Sequence, residues 1–108
     1  TTGEGWIGSY VHANGKLAAL VSLRCETDFV ARNPEFQTLA HDLAMQVVAS
    51  NPLYLRPEDV PATEPDEVCL LNQPFFKDDK KTVQTVLDEA TARIGEKIEI
   101  GGFERVQI

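Results

Sequence analysis

Trp6-Ile7-Gly8-Ser9-Tyr10-Val11-His12-Ala13-Asn14-Gly15-Lys16-Leu17-Ala18-Ala19-Leu20-Val21-Ser22-Leu23-Arg24-Cys25 reads as a β-hairpin, and the rest of the fold follows from it. Residues 6–13 and 16–25 are strand-forming runs on either side of Asn14-Gly15. That dipeptide suits a two-residue type I′ turn, which needs positive φ at both central positions. A two-residue turn fixes the register, so His12 faces Leu17, Tyr10 faces Ala19, Gly8 faces Val21 and Trp6 faces Leu23. Side chains alternate along a strand, so these eight share one face. Ile7, Ser9, Val11, Ala18, Leu20, Ser22 and Arg24 share the other. The first face is the more apolar and is the expected core face. The second is not fully polar, which predicts that part of it is covered too.

Downstream, Asn33-Pro34-Glu35 opens a helix: Asn is a preferred N-cap, Pro suits the first helical position, and an early Glu complements the dipole. Phe36, Leu39, Ala40, Leu43, Ala44, Val47 and Val48 form a wide core-facing stripe at helical spacing, with Glu35, Gln37, His41 and Asp42 off it. Asn51-Pro52 stops the helix. Residues 53–71, with Pro57, Pro61 and Pro65 among acids, read as an irregular connection in which residues 68–71 add an apolar anchor. Residues 73–76 read as an extended aromatic segment and 77–81 as a charged turn. Thr82 caps a second helix with the stripe Val83, Val86, Leu87, Ala90 and Ile94, and Gly95 stops it. Residues 97–108 form the last strand. Ile98, Ile100, Val106 and Ile108 share a parity that Phe103 lacks, and Gly101-Gly102 is a place for a bulge that re-aims it. Residues 1–5 read as a frayed lead-in.

The order strand-strand-helix-helix-strand predicts one α+β domain over residues 1–108, a three-stranded antiparallel sheet packed by two main helices. The chain's 108 residues suffice for one domain, and a formal charge of -7 disfavours nucleic acid or an anionic membrane as ligand. The two cysteines make no disulfide framework, and a reducing compartment is the simpler reading.

The sequence holds little for chemistry. His12, Cys25, His41 and Cys69 form no local pair at metal-ligand spacing, so no metal is expected. Cys25 falls on the apolar strand face, where a thiol is inert, and Glu26 and Asp28 read as solvated loop acids. Gly3, Gly5 and Gly8 open no helix, so nucleotide-cradling motifs fail and direct nucleotide binding is not expected. No cofactor is expected, and the chain does not read as an enzyme. What remains is Thr27-Asp28-Phe29-Val30, an aromatic beside a carboxylate between strand and helix. Two readings stay open on the residues alone. Phe29 caps the core while Asp28 caps a helical turn, or the pair is a wedge for another protein, since aromatics anchor interfaces.

Cys25-Glu26-Thr27-Asp28-Phe29-Val30-Ala31-Arg32 closely resembles the signature of the elongation factor Ts family, the guanine-nucleotide exchange factors for elongation factor Tu. Gly8-Ser9-Tyr10-Val11-His12 with Asn14-Gly15, the segment from Ala44-Met45 to Asn51-Pro52, Asn72-Gln73-Pro74-Phe75, Lys77-Asp78-Asp79 and Ile94-Gly95-Glu96-Lys97-Ile98 are similar to the family in the same order. The resemblance implies that Asp28 and Phe29, flanked by Thr27 and Val30, insert between two helices of the partner's G domain. The partner's magnesium site and phosphate-binding loop are then disturbed and GDP is released. It implies further contacts at His12 and Ile94. The family's small N-terminal helical domain and long coiled-coil insertion have no counterpart expected in these residues. A single core unit implies a homodimer, and the family implies bacterial cytoplasm or an organelle matrix. The second reading is an interaction or dimerisation module that keeps this core without exchange.

Overall fold

The computed structural model describes residues 1–108. β1 (Glu4–Val11) and β2 (Leu17–Cys25) form the hairpin, followed by α1 (Asp28–Ala31) and α2 (Pro34–Ser50), then β3 (Pro74–Phe75), β4 (Asp78–Thr82), α3 (Val83–Ile94) and β5 (Glu99–Gln107). β1, β2 and β5 form a three-stranded antiparallel sheet in that order, with β2 central. The fold is α+β with two main helices, as the sequence predicts.

The hairpin register is the expected one: Trp6 opposes Leu23, Gly8 opposes Val21 and Tyr10 opposes Ala19. Its turn is not. Gly15 has φ 73°, but Asn14 stays at negative φ, so the turn is not type I′. The Gly15 N–H instead donates to the His12 carbonyl at 2.8 Å, and Asn14 Oδ1 accepts from the Lys16 N–H at 2.9 Å. The Asn side chain supplies locally what a second left-handed residue would have supplied.

α2 lies across β1 and β2. Asn33 Oδ1 caps it by accepting from the Glu35 N–H at 2.8 Å, and Asn51, in the left-handed region at φ 47°, ends it. Its stripe is buried apart from Leu39, which is half-buried. Asp42, placed off the stripe by spacing, is buried too, and it is held by Lys77 at 3.0 Å. Gln46 is also buried. Its amide donates to Gln73 Oε1 and the Pro74 carbonyl, and its Oε1 accepts from the Phe76 N–H at 2.8 Å. These bonds pin the aromatic segment to the helix. The charged turn expected at 77–81 is mostly strand: the turn is Phe76-Lys77, and β4 returns to pair with β3 in a small hairpin. Three 3-10 turns fill the irregular connection, and Cys69 and Leu70 anchor it in the core. Thr82 Oγ1 caps α3 by accepting from the Thr85 N–H at 3.2 Å, and Gly95 ends it at φ 85°.

The register of β2 with β5 shifts between Ser22 and Leu23. Ile100 therefore faces Leu23, and beyond the irregularity Phe103 faces Val21. Both lie on the core side, as the glycine pair predicts. The same shift corrects the parity of the strand's end. Val106 and Ile108 turn outward and are exposed, while Arg105 turns inward and donates to the Val48 carbonyl at 3.1 Å. The second face of the sheet is not covered within the chain: Ile7, Val11, Leu20 and Val106 are all exposed on it.

The lead-in is not frayed. Thr2 is buried, its hydroxyl donates to the Glu99 carboxylate, and Arg24 Nε donates to its carbonyl at 2.9 Å. The hydroxyl holds the Glu99 carboxyl below its ordinary pKa. A carboxylate depressed in the folded state contributes stability that is present above its unfolded pKa and is lost as pH falls through the folded one. Acidification through that range is therefore expected to release the lead-in, read as early loss of amide protection at Glu4 and Gly5. Equal protection at these amides in Thr2→Val and wild type would contradict it.

Candidate functional site

The corner between β2 and α2 is a single helical turn. Thr27 is its N-cap, with Oγ1 accepting from the Val30 N–H at 3.3 Å and its carbonyl accepting from the Ala31 N–H at 3.2 Å. One turn leaves little freedom for inward and outward directions. Val30 and Ala31 are buried in the core, and Phe29 points out, 83% exposed. Phe29 therefore does not cap the core. Aromatic side chains are enriched among the anchors of protein interfaces, and this one is free to serve as such. Asp28 is also exposed and meets Arg32 Nε at 2.9 Å, an i,i+4 pair.

Of the four motif residues, only Asp28 and Phe29 present their side chains outward. Val30 was expected at a partner surface, but its side chain is spent on the core because α1 must seal the sheet's end. Thr27 is exposed, but its hydroxyl is occupied internally: besides accepting from Val30, it donates to Glu96 Oε2 at 2.7 Å. Ile94 lies near this corner. It is half-buried at the end of α3, two residues before Glu96. His12 does not. It sits beyond the far end of β1, while Cys25, which leads into the corner, pairs with Glu4 at the near end. At about 3.3 Å per residue this separates them by roughly 25 Å along the strand. His12 is exposed, with Nδ1 3.3 Å from the Tyr10 hydroxyl.

No group of three or more His, Cys, Asp and Glu side chains is arranged to hold a metal ion. Cys25 is fully buried, its thiol donates to the Thr27 carbonyl at 3.2 Å, and burial pushes its pKa up. Thiolate chemistry is disfavoured in such a setting. No helix is long and apolar enough to cross a membrane.

Fold and corner together define a small α+β scaffold that holds one bare phenylalanine and one carboxylate outward from a braced turn. Comparison with known proteins then gives the family. The family model described as Elongation factor TS matches residues 1–66. Elongation factor Ts of Maridesulfovibrio salexigens is 41% identical over 140 aligned positions, covering 99% of this chain and 68% of that protein. Elongation factor Ts of Oleidesulfovibrio alaskensis is 40% identical, covering 99% of this chain and 71% of that one. For Geotalea uraniireducens the figures are 41%, 94% and 62%. The chain belongs to the elongation factor Ts family.

Proposed function

We propose that the chain promotes GDP release from elongation factor Tu, with Phe29 and Asp28 as the inserted pair. The observation that carries this reading is the exposure of Phe29 beside buried Val30 and Ala31. Phe29 enters an apolar pocket between two helices of the partner's G domain. Asp28 exchanges its exposed pairing with Arg32, worth under about 1 kcal/mol, for partner groups near that pocket. Ile94 adds a contact beside the corner. His12 makes a separate contact at the other end of the sheet, so the partner spans the hairpin. Thr27 and Val30 act by holding the turn. The chain does no covalent work. If the factor weakens GDP binding, GDP weakens factor binding by the same amount, and incoming GTP completes the cycle. The place of action is where that partner works, bacterial cytoplasm or an organelle matrix. Release of labelled GDP from the partner tests the reading, and Phe29→Ala is the variant that decides it.

The open sheet face supports a homodimer. Ile7, Val11, Leu20 and Val106 form an uncovered apolar strip across the three strands. A second copy of the same face covers it with matched chemistry, as two-fold interfaces do. Leu20→Glu places a charge on the central strand of that face at a residue the core does not use. It is expected to shift the chain from dimer to monomer in sedimentation equilibrium, with a thermal midpoint that falls only to that of the dissociated wild-type chain at low concentration. A wild-type chain that is monomeric at every concentration would remove this part of the proposal. A dimerisation module that performs no exchange is the second reading, and the same strip favours it. It holds if the wild-type chain dimerises and binds the partner but leaves GDP release unchanged.

A further inference from the structure

The bonds that fix the Thr27 corner do not all come from the corner. The Glu96 carboxylate, on the turn after α3, reaches across some seventy residues of sequence. Its Oε1 accepts from the Glu26 and Thr27 backbone N–H groups, each at 3.1 Å, and its Oε2 accepts from the Thr27 hydroxyl at 2.7 Å. In return, Glu26 Oε2 accepts from the Lys97 N–H at 2.5 Å. Two loops thus exchange carboxylates across one gap. Thr27 has no polar atom left free: its N–H and hydroxyl go to Glu96, and its carbonyl accepts from Ala31 and Cys25. The N-cap sets the entry direction of a four-residue turn, so whatever fixes Thr27 fixes the line along which Phe29 leaves the surface.

Resting on the exchange reading above, we infer that Glu96 is a positioning residue for exchange, aiming Phe29 through Thr27 and locking the Phe29 corner and the Ile94 turn into one rigid surface. Gly95 makes this reach possible. At φ 85° it ends α3 in a left-handed step that brings Glu96 under the corner. A carboxylate suits the task because it is acceptor-only and can take three donors at once, with bonds stronger than those of a neutral acceptor. Glutamine keeps the reach and one acceptor oxygen. Aspartate loses the reach.

The test is GDP release from elongation factor Tu at varied factor concentration, with Glu96→Ala, Glu96→Gln, Glu96→Asp, Phe29→Ala and the double variant Glu96→Ala/Phe29→Ala. Glu96→Ala is expected to lower the saturating exchange rate about tenfold, with the half-saturating concentration changed less than about threefold, as expected when one charged bond network is lost from the reactive arrangement. Glutamine restores part of the rate and aspartate does not. In the Phe29→Ala background, Glu96→Ala has little further effect, because the ring it aims is gone. A merely structural role would add its cost in both backgrounds. Wild-type exchange by Glu96→Ala, beside a dead Phe29→Ala, overturns the inference and leaves the exchange reading standing. If the wild-type chain does not accelerate release, the exchange reading fails, and nuclear relaxation of the Phe29 amide decides the positioning claim. A rigid amide in wild type that becomes mobile in Glu96→Ala supports it; equal rigidity in both overturns it.

Discussion

Phe29→Ala is expected to remove nearly all acceleration of GDP release while leaving the free protein as stable as before. The two halves rest on the same fact. Phe29 is 83% exposed and lies outside the core cluster, so truncating it creates no cavity. Surface substitutions of that kind shift stability by no more than about 0.5 kcal/mol. Under the proposed insertion the ring is desolvated in the complex, and truncating a buried aromatic anchor costs about 2–4 kcal/mol. That converts to a loss of roughly thirty-fold to several-hundred-fold in transition-state stabilisation. Phe29→Leu keeps apolar volume and should retain an intermediate rate. Asp28→Asn should lose less than Phe29→Ala, since the carboxylate already has an exposed partner in Arg32 and gains only the difference. The measurement is stopped-flow release of labelled GDP together with a thermal melt. A Phe29→Ala chain that exchanges at the wild-type rate would end the wedge proposal. One that loses both rate and thermal midpoint would show that Phe29 supports the fold.

Much of this was readable in the sequence wherever one local rule acted alone. The hairpin register follows from strand alternation and turn position, and the different turn leaves it unchanged, because alternation puts Ala19, Val21 and Leu23 of β2 on the buried face whatever closes the loop; of their partners on the edge strand β1, Tyr10 is only half-buried and Trp6, expected in the core, is exposed. Asn33, Thr82 and Gly95 marked helix ends through backbone groups that any helix must satisfy. What spacing missed depends on distant partners. Asp42 and Gln46 are polar, so periodicity put Asp42 outside and gave Gln46 no part, but Lys77 and the 73–76 segment arrive to satisfy them. The outward turn of Val106 and Ile108 follows from a register shift whose site is legible at Gly101-Gly102; simple alternation from Ile98 and Ile100 misses it because one extra residue reverses the parity of everything after it. The lead-in looked loose because Thr2 finds Glu99 only after β5 is in place.

The site divides along the same line. Asp28 and Phe29 stood out as an aromatic–acid pair off any apolar period. Glu96 was visible as the residue after a helix stop, inside a segment similar to the family, but no spacing rule joins it to Thr27. Val30 belongs to the partner-binding motif that the resemblance implies, but a single helical turn splits that motif's residues between core and solvent and puts the Val30 side chain in the core.

The largest loss of stability is expected from the smallest change, Gly8→Ala. Gly8 lies on β1 opposite Val21, directly beneath α2. A Cβ there would stand 2.0 Å from the Ala40 carbonyl oxygen, 2.2 Å from its carbon and 2.7 Å from the His41 nitrogen. All three are backbone atoms of one helix, so no side chain can swing aside. Relief requires α2 to lift from the sheet or β1 to move away. Lifting α2 opens the packing of Phe36, Leu43 and Val47, all fully buried. Moving β1 strains the pairs with β2 and the 2.8 Å bond between His41 Nδ1 and the Ser9 carbonyl. Overpacking a core costs about 1–3 kcal/mol and sometimes more. A clash of backbone against backbone belongs at or above the upper end, a large share of the roughly 5–15 kcal/mol that holds such a domain together. Gly102→Ala is the matched control. It lies on β5 with nothing within 4 Å of the added methyl and no positive φ, so it is expected to be neutral within about 0.5 kcal/mol. Urea unfolding of the two variants compares them directly. Equal midpoints would mean that α2 does not rest on Gly8 as closely as the structure has it. A large gap would show that α2 rests on β1 at Gly8, where only a hydrogen fits beneath the Ala40 carbonyl.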